Sequence, residues 1–363
     1  MENKRARVIA FYLPQFHTIP ENDEWWGKGF TEWTSVAKAK PLFNGHLQPN
    51  IPEALGFYDL RVPEVREAQA RLAKEAGIEG FCYWHYWFGG KKRLLERPFN
   101  EVLQSGTPEL PFCLGWANHS WYQKLWDPSG KGDKLLIEQQ YLGVEDYVNH
   151  FNEVLLPAFK DKRYITVDNK PFFIIYSLKN KEEIKLIIET WRNLAIENGI
   201  AGIHFVAVQR SETKDEIHEL GFDGMYRLNS YLNVHIKQGF LKRALLKLRI
   251  KFFKSPRRYD FDEMTKHMYD KQSYDEDTIP LIVPRWDHSP RSGNLGIVMT
   301  GSTPKRFARQ VRKACDIVSS KKEEHKLLLL LSWNEWGEGN YIEPDLKYGD
   351  SYLKALKSEI INL

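Results

Sequence analysis

Short apolar runs alternate with longer amphipathic stretches along nearly the whole chain. A short, fully apolar run predicts a buried strand, whereas apolar positions three and four residues apart predict a helix. Eight runs predict strands, at residues 8–13, 80–88, 112–116, 171–176, 203–208, 224–226, 281–285 and 326–333. Seven amphipathic stretches predict helices, at residues 63–76, 93–104, 144–159, 181–198, 214–220, 304–319 and 351–361.

The alternation predicts a parallel sheet, and eight strands match the count of a (β/α)8 barrel, the TIM-barrel fold. Residues 328–331 are four leucines, apolar on both faces, as a strand covered on both sides requires. An open doubly wound sheet is the alternative. No Gly-x-Gly-x-x-Gly run follows the first strand, which disfavours the dinucleotide-binding version of that sheet. We therefore expect residues 1–363 to form a single barrel domain.

Two long segments interrupt the alternation, at residues 14–62 and 227–279. Each follows a predicted strand, and the loops after barrel strands build the catalytic face of this fold. We therefore expect both segments to be βα-loop insertions that shape a site.

Composition narrows the class of protein. Aromatic residues make up 13% of the chain, and their flat rings suit the apolar faces of sugars as well as a Trp-rich core. Cys82, Cys113 and Cys315 are far apart, so we expect neither disulfides nor a metal site, and Cys82 and Cys113 lie in strand-like runs that would bury them. Because Pro14 ends the first apolar run too early for a signal peptide and no run could cross a membrane, we expect a cytoplasmic protein. No cofactor is expected.

The chemically most informative run follows the last predicted strand, where Glu335 and Glu338 are three residues apart. Glycosidic cleavage needs one group that protonates the leaving oxygen and another that acts on the anomeric side, and two carboxylates in unequal environments can divide these tasks. Gly337 and Gly339 permit a tight backbone that turns both side chains inward. A solvated acidic turn is the alternative, but Trp333, Asn334 and Trp336 in the same run disfavour it.

This loop resembles the signature of glycoside hydrolase family 99, the endo-α-mannosidases and endo-α-mannanases, in the sequences NEWGEG at 334–339 and IEP at 342–344. Three further runs resemble the bacterial WbsX-type branch: FYLPQFH at 11–17, GFTEWT at 29–34 and WAN at 116–118. Members of that branch are associated with O-antigen and capsule gene sets and are often labelled glycosyltransferases.

The resemblance implies a retaining enzyme in which the substrate's own 2-hydroxyl attacks through a 1,2-anhydro sugar. It implies that Glu335 is the base that deprotonates this hydroxyl and that Glu338 is the general acid and then base. No enzyme-linked sugar would form. The residues alone indicate only two carboxylates of a glycosidase, with a conventional nucleophile as the default.

Further candidates lie at or just after the predicted strand ends, where a barrel binds its substrate. For each, packing over or within the barrel is the alternative to sugar binding, and Asp287 with an arginine suits a structural ion pair. Arg285 or Arg291 would suit an anionic substituent such as a uronate or a phosphate. The candidate substrate-binding residues are Tyr12, Glu32, Trp33, Trp84, His85, Trp116, Asn118, Trp121, Trp126, Asp127, Arg285, Trp286, Asp287, Asn334 and Trp336.

A basic run at residues 237–258 holds nine Lys and Arg and no acid, and without these nine the formal charge of +4 becomes −5. Leu241, Leu245, Leu248 and Phe252 recur at helical spacing. A basic amphipathic helix suits an anionic membrane surface, where lipid-linked glycans are assembled, and a solvated helix on the barrel is the alternative. No recognition fold accompanies the run, so nucleic acid is not an expected partner.

Three functions remain open: an endo-acting α-mannosidase-like or mannanase-like hydrolase of a bacterial surface polysaccharide or its precursor, a glycosyltransferase of O-antigen or capsule biosynthesis, and a carbohydrate-binding module. The Asp-x-Asp match at residues 275–277 lies in a polar loop, so a metal site for a nucleotide-sugar donor is not indicated there. Glu335 and Glu338 together disfavour a module without catalysis. The sequence therefore favours the hydrolase.

Overall fold

The computed structural model describes residues 4–123, 133–228 and 255–361 of the chain. The basic run is thus described only from residue 255 onward, and Trp126 and Asp127 lie outside the described residues. In the part that is described, no helix combines the length and the apolar character that a membrane crossing requires.

Eight parallel strands form the centre of the fold. We number them β1 to β8 in chain order, and each of the strands β1 to β5 pairs with the next. β8 pairs with both β7 and β1. The strands are Arg7–Tyr12, Gly80–His85, Phe112–Trp116, Lys170–Ile175, His204–Gln209, Gly224–Arg227, Leu281–Ile282 and Leu327–Leu330.

Backbone hydrogen bonds at Met225 bring the remaining edges of the sheet together. Met225 N donates to Asp277 O at 2.8 Å, and Ile279 N donates to Met225 O at 2.8 Å, which links β6 to the chain just before β7. The sheet is therefore a nearly closed eight-stranded barrel, and the predicted (β/α)8 fold is confirmed.

Helices cover the outside of the barrel at all seven predicted places. They are Pro63–Glu75, Arg97–Ser105, the continuous segments Val144–His150, Phe151–Leu155 (a π turn) and Leu156–Phe159, then Lys181–Glu197, Lys214–Glu219, Pro304–Val318 and Ser351–Ile360. The second helix begins four residues later than predicted, because Leu95 has a φ of +58°, which a right-handed helix excludes.

Short helices, 3₁₀ turns and short strand pairs lie in the segments between the barrel strands and the outer helices. The short helices are Pro20–Trp26, Glu32–Lys38, Phe261–Thr265 and Ser289–Ser292, with 3₁₀ turns at Lys271–Tyr274, Gly293–Leu295, Glu323–His325 and Trp336–Glu338. Three strand pairs lie outside the barrel: Trp121–Gln123 with Lys134–Ile137, Arg257–Asp260 with Ile297–Thr300, and Asn334–Glu335 with Asn340–Tyr341. The strand Thr166–Val167 pairs with β4.

The core is rich in aromatic rings as well as aliphatic side chains. Trp87, Trp116, Trp191 and Trp333 are all at most 2% exposed, so part of the aromatic surplus belongs to the core. The cysteines are buried thiols, as predicted for Cys82 and Cys113.

Candidate functional site

A cavity of about 490 Å³ opens at the carboxyl ends of the barrel strands. Residues that directly follow β1, β3, β4 and β6 reach it, and Trp84 reaches it from β2. Its aromatic wall consists of Trp84, Tyr86, Tyr176 and Trp286, and its ionisable lining consists of His119, Arg257, His288, Arg291, Glu335 and Glu338. Both predicted catalytic carboxylates therefore share one cavity on the catalytic face.

Glu335 enters the cavity just after β8. Its backbone N–H donates to Ser332 Oγ at 2.9 Å, and that hydroxyl donates to Asn340 O at 2.6 Å, which fixes the turn. Trp84 Nε1 donates to the carboxylate at 3.3 Å. Burial, followed by the negative charge of Glu338, raises the pKa of Glu335 to about 8. At neutral pH this carboxyl group therefore holds a proton.

Glu338 lies in the opposite electrostatic environment. Its carboxylate is ion-paired with Arg291, and His288 Nε2 lies 3.5 Å from the same oxygen. A guanidinium in contact stabilises the ionised form of a carboxyl group. The two carboxylates are thus unequal, as the division of acid and base tasks requires.

Glu32 contacts the loop that carries Glu335 and Glu338 from the side of the core. Its side chain is 1% exposed, and Arg291 Nη2 donates to it at 2.8 Å, so one guanidinium joins Glu32 to Glu338. The same Glu32 oxygen accepts the backbone N–H of Gly337 at 2.8 Å. Glu32 is therefore a support for the loop, and no surface of it lines the cavity.

The glycines of the loop are required by close packing. A Cβ on Gly337 would lie 2.0 Å from Glu32 Oε1, and a Cβ on Gly339 would lie 2.6 Å from Asp287 Cβ. Asp287 N also donates to Glu338 O at 2.8 Å. Glu32 and Asp287, both distant in sequence, therefore pack closely against the backbone of residues 337–339.

Asn334 and Trp336 form a buried layer under the loop. Asn334 accepts from Leu13 N at 2.8 Å and donates to Leu13 O at 3.1 Å, which ties the end of β8 to the end of β1. Trp336 stacks on Tyr341 with ring centroids 3.7 Å apart and donates to Glu343 at 2.6 Å. Burial raises the pKa of Glu343 to about 7. Both predicted residues thus shape the loop from the core side.

Of the predicted binding residues, Trp84 and Trp286 line the cavity beside the two carboxylates. Trp33 packs against Trp336 in the layer below, and Trp121 packs edge-on against Tyr86 from behind the cavity wall. These positions support the site without forming its lining.

Four predicted residues turn away from the cavity. The Tyr12 hydroxyl donates to Gln69 on the first outer helix, and His85 contacts His150 at 2.7 Å between the sheet and its helix. Trp116 donates to Trp87 O, and Asn118 bridges to both backbone groups of Ser177. The structure therefore places these four side chains in internal contacts and not among the residues that line the cavity.

Arg285 and Asp287 also make internal contacts. Arg285 is ion-paired with Asp345 and lies over the Tyr341 and Tyr352 rings. Asp287 accepts from Gln48 at 2.6 Å and contacts His46 at 2.7 Å, and these contacts lower its pKa against the cost of burial. Asp287 is therefore paired within the protein, as the structural alternative predicted, but its partners are His46 and Gln48 and not an arginine.

The cavity lining also includes residues that were not predicted from the sequence as site residues, among them Tyr176, Leu228 and Arg257. Tyr176 and Leu228 directly follow β4 and β6, so proximity to a strand end was their available signal. Leu228 and Arg257 lie in the second predicted insertion. Among the described residues no group of three or more His, Cys, Asp or Glu side chains is arranged around a metal position.

Solved structures with the same fold include enzymes of carbohydrate chemistry. A glycoside hydrolase-like protein superposes with a TM-score of 0.58 at 17% identity, covering 100% of this chain and 96% of its own. The GH99 endo-alpha-mannosidase from Bacteroides thetaiotaomicron superposes with a TM-score of 0.57 at 14% identity, covering 97% of this chain and 95% of its own. At these identities the likeness establishes the barrel fold.

Sequence relatives are closer. Two proteins named WxcX, from two strains of Xanthomonas campestris pv. campestris, are each 36% identical over 365 residues, which cover 99% of this chain. The chain spans about half the length of these curated relatives. The profile of a family described as glycosyltransferase WbsX matches residues 8–356. The chain therefore belongs to the WbsX family.

Proposed function

We propose that the chain is a retaining, endo-acting glycoside hydrolase of the α-mannosidase or mannanase type, acting on a bacterial surface polysaccharide or its precursor. The observation that carries the proposal is the pair Glu335 and Glu338, which lie in unequal environments within one aromatic-lined cavity. Trp84 and Trp286 offer flat faces on which sugar rings stack. The name of the endo-mannosidase with the same barrel supports the choice of substrate class.

The pair works through a single shared proton. In the ligand-free site that proton resides on Glu335, because Arg291 holds Glu338 ionised. We propose that the reactive form has the proton on Glu338, which protonates the leaving oxygen while Glu335 removes the proton of the 2-hydroxyl. Both forms contain one proton on the pair, so they belong to the same macroscopic protonation state.

The test is hydrolysis of mannose-containing oligosaccharides with good and poor leaving groups. Glu338→Gln should reduce the rate about 10²–10⁴-fold on a poor leaving group and much less on an activated aryl glycoside, because only the former needs protonation. Glu335→Gln should reduce both rates alike. Glu109→Gln, the same change at an exposed site, serves as the control. Near-normal activity of the Glu335→Gln variant would end the assignment.

Product analysis tests the remaining parts of the proposal. The first-formed anomer should keep the configuration of the substrate, and early products should be internal fragments, not monosaccharides. A substrate without the 2-hydroxyl should not react. If a 2-fluoro substrate instead accumulates a covalent adduct on Glu335, the conventional nucleophile is correct.

A glycosyltransferase is the second candidate, favoured by the description of the family. The Asp-x-Asp match offers it no support, because Asp275 is paired with Lys214 at 2.8 Å and Asp277 with His218 at 2.7 Å, away from the cavity lining. A transferase would lengthen an added acceptor glycan and would release little reducing sugar in its absence. That result would replace the hydrolase proposal.

A further inference from the structure

Two arginines line the cavity, and their contacts differ. Arg291 is held between two carboxylates, Glu32 and Glu338, so its charge is already neutralised within the protein. Arg285, the other arginine considered for an anionic substituent, lies outside this cavity in an ion pair with Asp345. Neither is available to a charged group on a substrate.

Arg257 is presented to the cavity in a different way. It begins the strand Arg257–Asp260, and its backbone N–H donates to Gly296 O at 3.0 Å. Its guanidinium donates to Leu295 O at 3.2 Å, and within the described residues this side chain forms no ion pair. The preceding residues 229–254 contain no Asp or Glu, so that stretch offers no carboxylate. Among the described residues, the cavity wall thus carries a cation that no carboxylate pairs with.

The strand pair keeps this cation in place. Arg257 pairs with Ile297, and Leu295, Gly296 and Ile297 all line the cavity around it. The side chain of the next residue, Arg258, lies over the Phe43 ring at 4.5 Å and therefore leaves the cavity wall. A planar guanidinium on a fixed backbone matches a carboxylate or a phosphate with two parallel hydrogen bonds.

We propose that the cavity binds a glycan that carries an oxyanion, either a uronate carboxylate or a sugar phosphate, and that Arg257 contacts this group. The inference rests on the proposed function only in taking the cavity as the sugar site. It does not depend on whether the sugar is cleaved or transferred.

The experiment measures binding to the full chain with Glu335→Gln, so that turnover does not interfere. The probes are mannuronate oligosaccharides, neutral mannose oligosaccharides of the same length and linkage, and mannose oligosaccharides bearing one 6-phosphate. At low salt at least one anionic probe should bind about 10-fold more tightly than the neutral one, and its preference over the other anionic probe identifies the source of the oxyanion. Adding Arg257→Gln should remove the preference, and Arg257→Lys should retain part of it.

Arg71→Gln is the matched control, because Arg71 is an exposed arginine in the first outer helix and does not line the cavity. Equal binding of all three probes, or equal loss in the Arg71→Gln and Arg257→Gln variants, would overturn the inference. If no oligosaccharide binds, glucuronate and inorganic phosphate are titrated against the arginine Nε–H resonances, and an unmoved Arg257 signal overturns it as well. Anion-selective binding by the Glu335→Gln variant, together with no hydrolysis of any probe by the wild type, would refute only the proposed function.

Discussion

At the scale of single residues, Glu335 and Glu338 differ because of what surrounds each carboxyl group. Glu335 is partly buried and accepts a hydrogen bond from Trp84, whereas Glu338 contacts Arg291 and His288. Glu32 acts through Arg291, and Tyr176 adds a hydroxyl to the cavity lining near both acids. These neighbours determine where the single proton of the pair resides.

The pH dependence of activity follows from that proton. Because burial raises the pKa of Glu335 to about 8, the pair holds one proton at neutral pH and loses it as the pH rises through about 8. Above that pH neither carboxyl group can protonate a leaving oxygen, so kcat/KM should fall about tenfold per pH unit. The measurement is a kcat/KM profile from pH 5 to 10. A plateau that persists to pH 10 would contradict this assignment.

The residue scale is also where sequence reasoning reached its limit. Strand alternation places Trp84 and His85 on opposite faces of β2, but alternation alone does not say which face points into the cavity. That choice depends on contacts made by distant parts of the chain, such as His150 for His85. The outward direction of Tyr12 likewise depends on Gln69 in a helix more than fifty residues away.

At the scale of elements, the first insertion and the loop after β7 both contact the loop at residues 334–339. The short helices Glu32–Lys38 and Ser289–Ser292 supply Glu32 and Arg291, which meet at Gly337. Neither helix was predicted, because each is only one or two turns long and its apolar pattern is too short to detect. The predicted barrel elements were found because each is a long apolar run or a long amphipathic stretch.

The ion pair between these elements should contribute strongly to stability. Arg291→Gln leaves Glu32 buried without its cation, and such a break costs about 3 kcal/mol. The double variant Glu32→Gln, Arg291→Gln should recover most of this loss, because a glutamine still accepts the Gly337 N–H without a buried charge. Urea unfolding of the wild type, both single variants and the double variant measures the coupling. Arg309→Gln, in the exposed pair with Asp262, is the control.

This coupling would be contradicted if the double variant lost as much unfolding free energy as the two single variants together. If Glu32 and Arg291 act independently, the double variant should be less stable than either single variant. An Arg309→Gln variant as unstable as Arg291→Gln would show that loss of any arginine pair has the same effect.

At the scale of the whole molecule, the basic run decides the sign of the net charge. Residues 237–254 lie outside the described structure, so their interaction with a membrane remains a prediction from sequence. If this run binds anionic lipid, liposome binding should weaken as salt screens the charges. The triple change of Lys247, Arg249 and Lys251 to Gln should weaken it further without changing turnover of a soluble substrate.

A matched control for this prediction uses three lysines elsewhere. Lys160, Lys162 and Lys185 are exposed on outer helices and adjoining turns, and their change to Gln removes the same charge. Unchanged lipid binding in the first triple variant, or equal loss in both, would favour a solvated helix.

Asn334 and Leu13, which are 321 positions apart in the sequence, are hydrogen-bonded to each other where β8 pairs with β1. A growing polypeptide therefore carries β1 with one open edge until more than three hundred further residues have emerged. Glu335 and Glu338 directly follow β8, the strand that pairs with this open edge of β1. An incomplete or misregistered chain therefore lacks the closed barrel that positions Glu335 and Glu338 in one cavity, so this cavity forms only after the eighth strand has been synthesised.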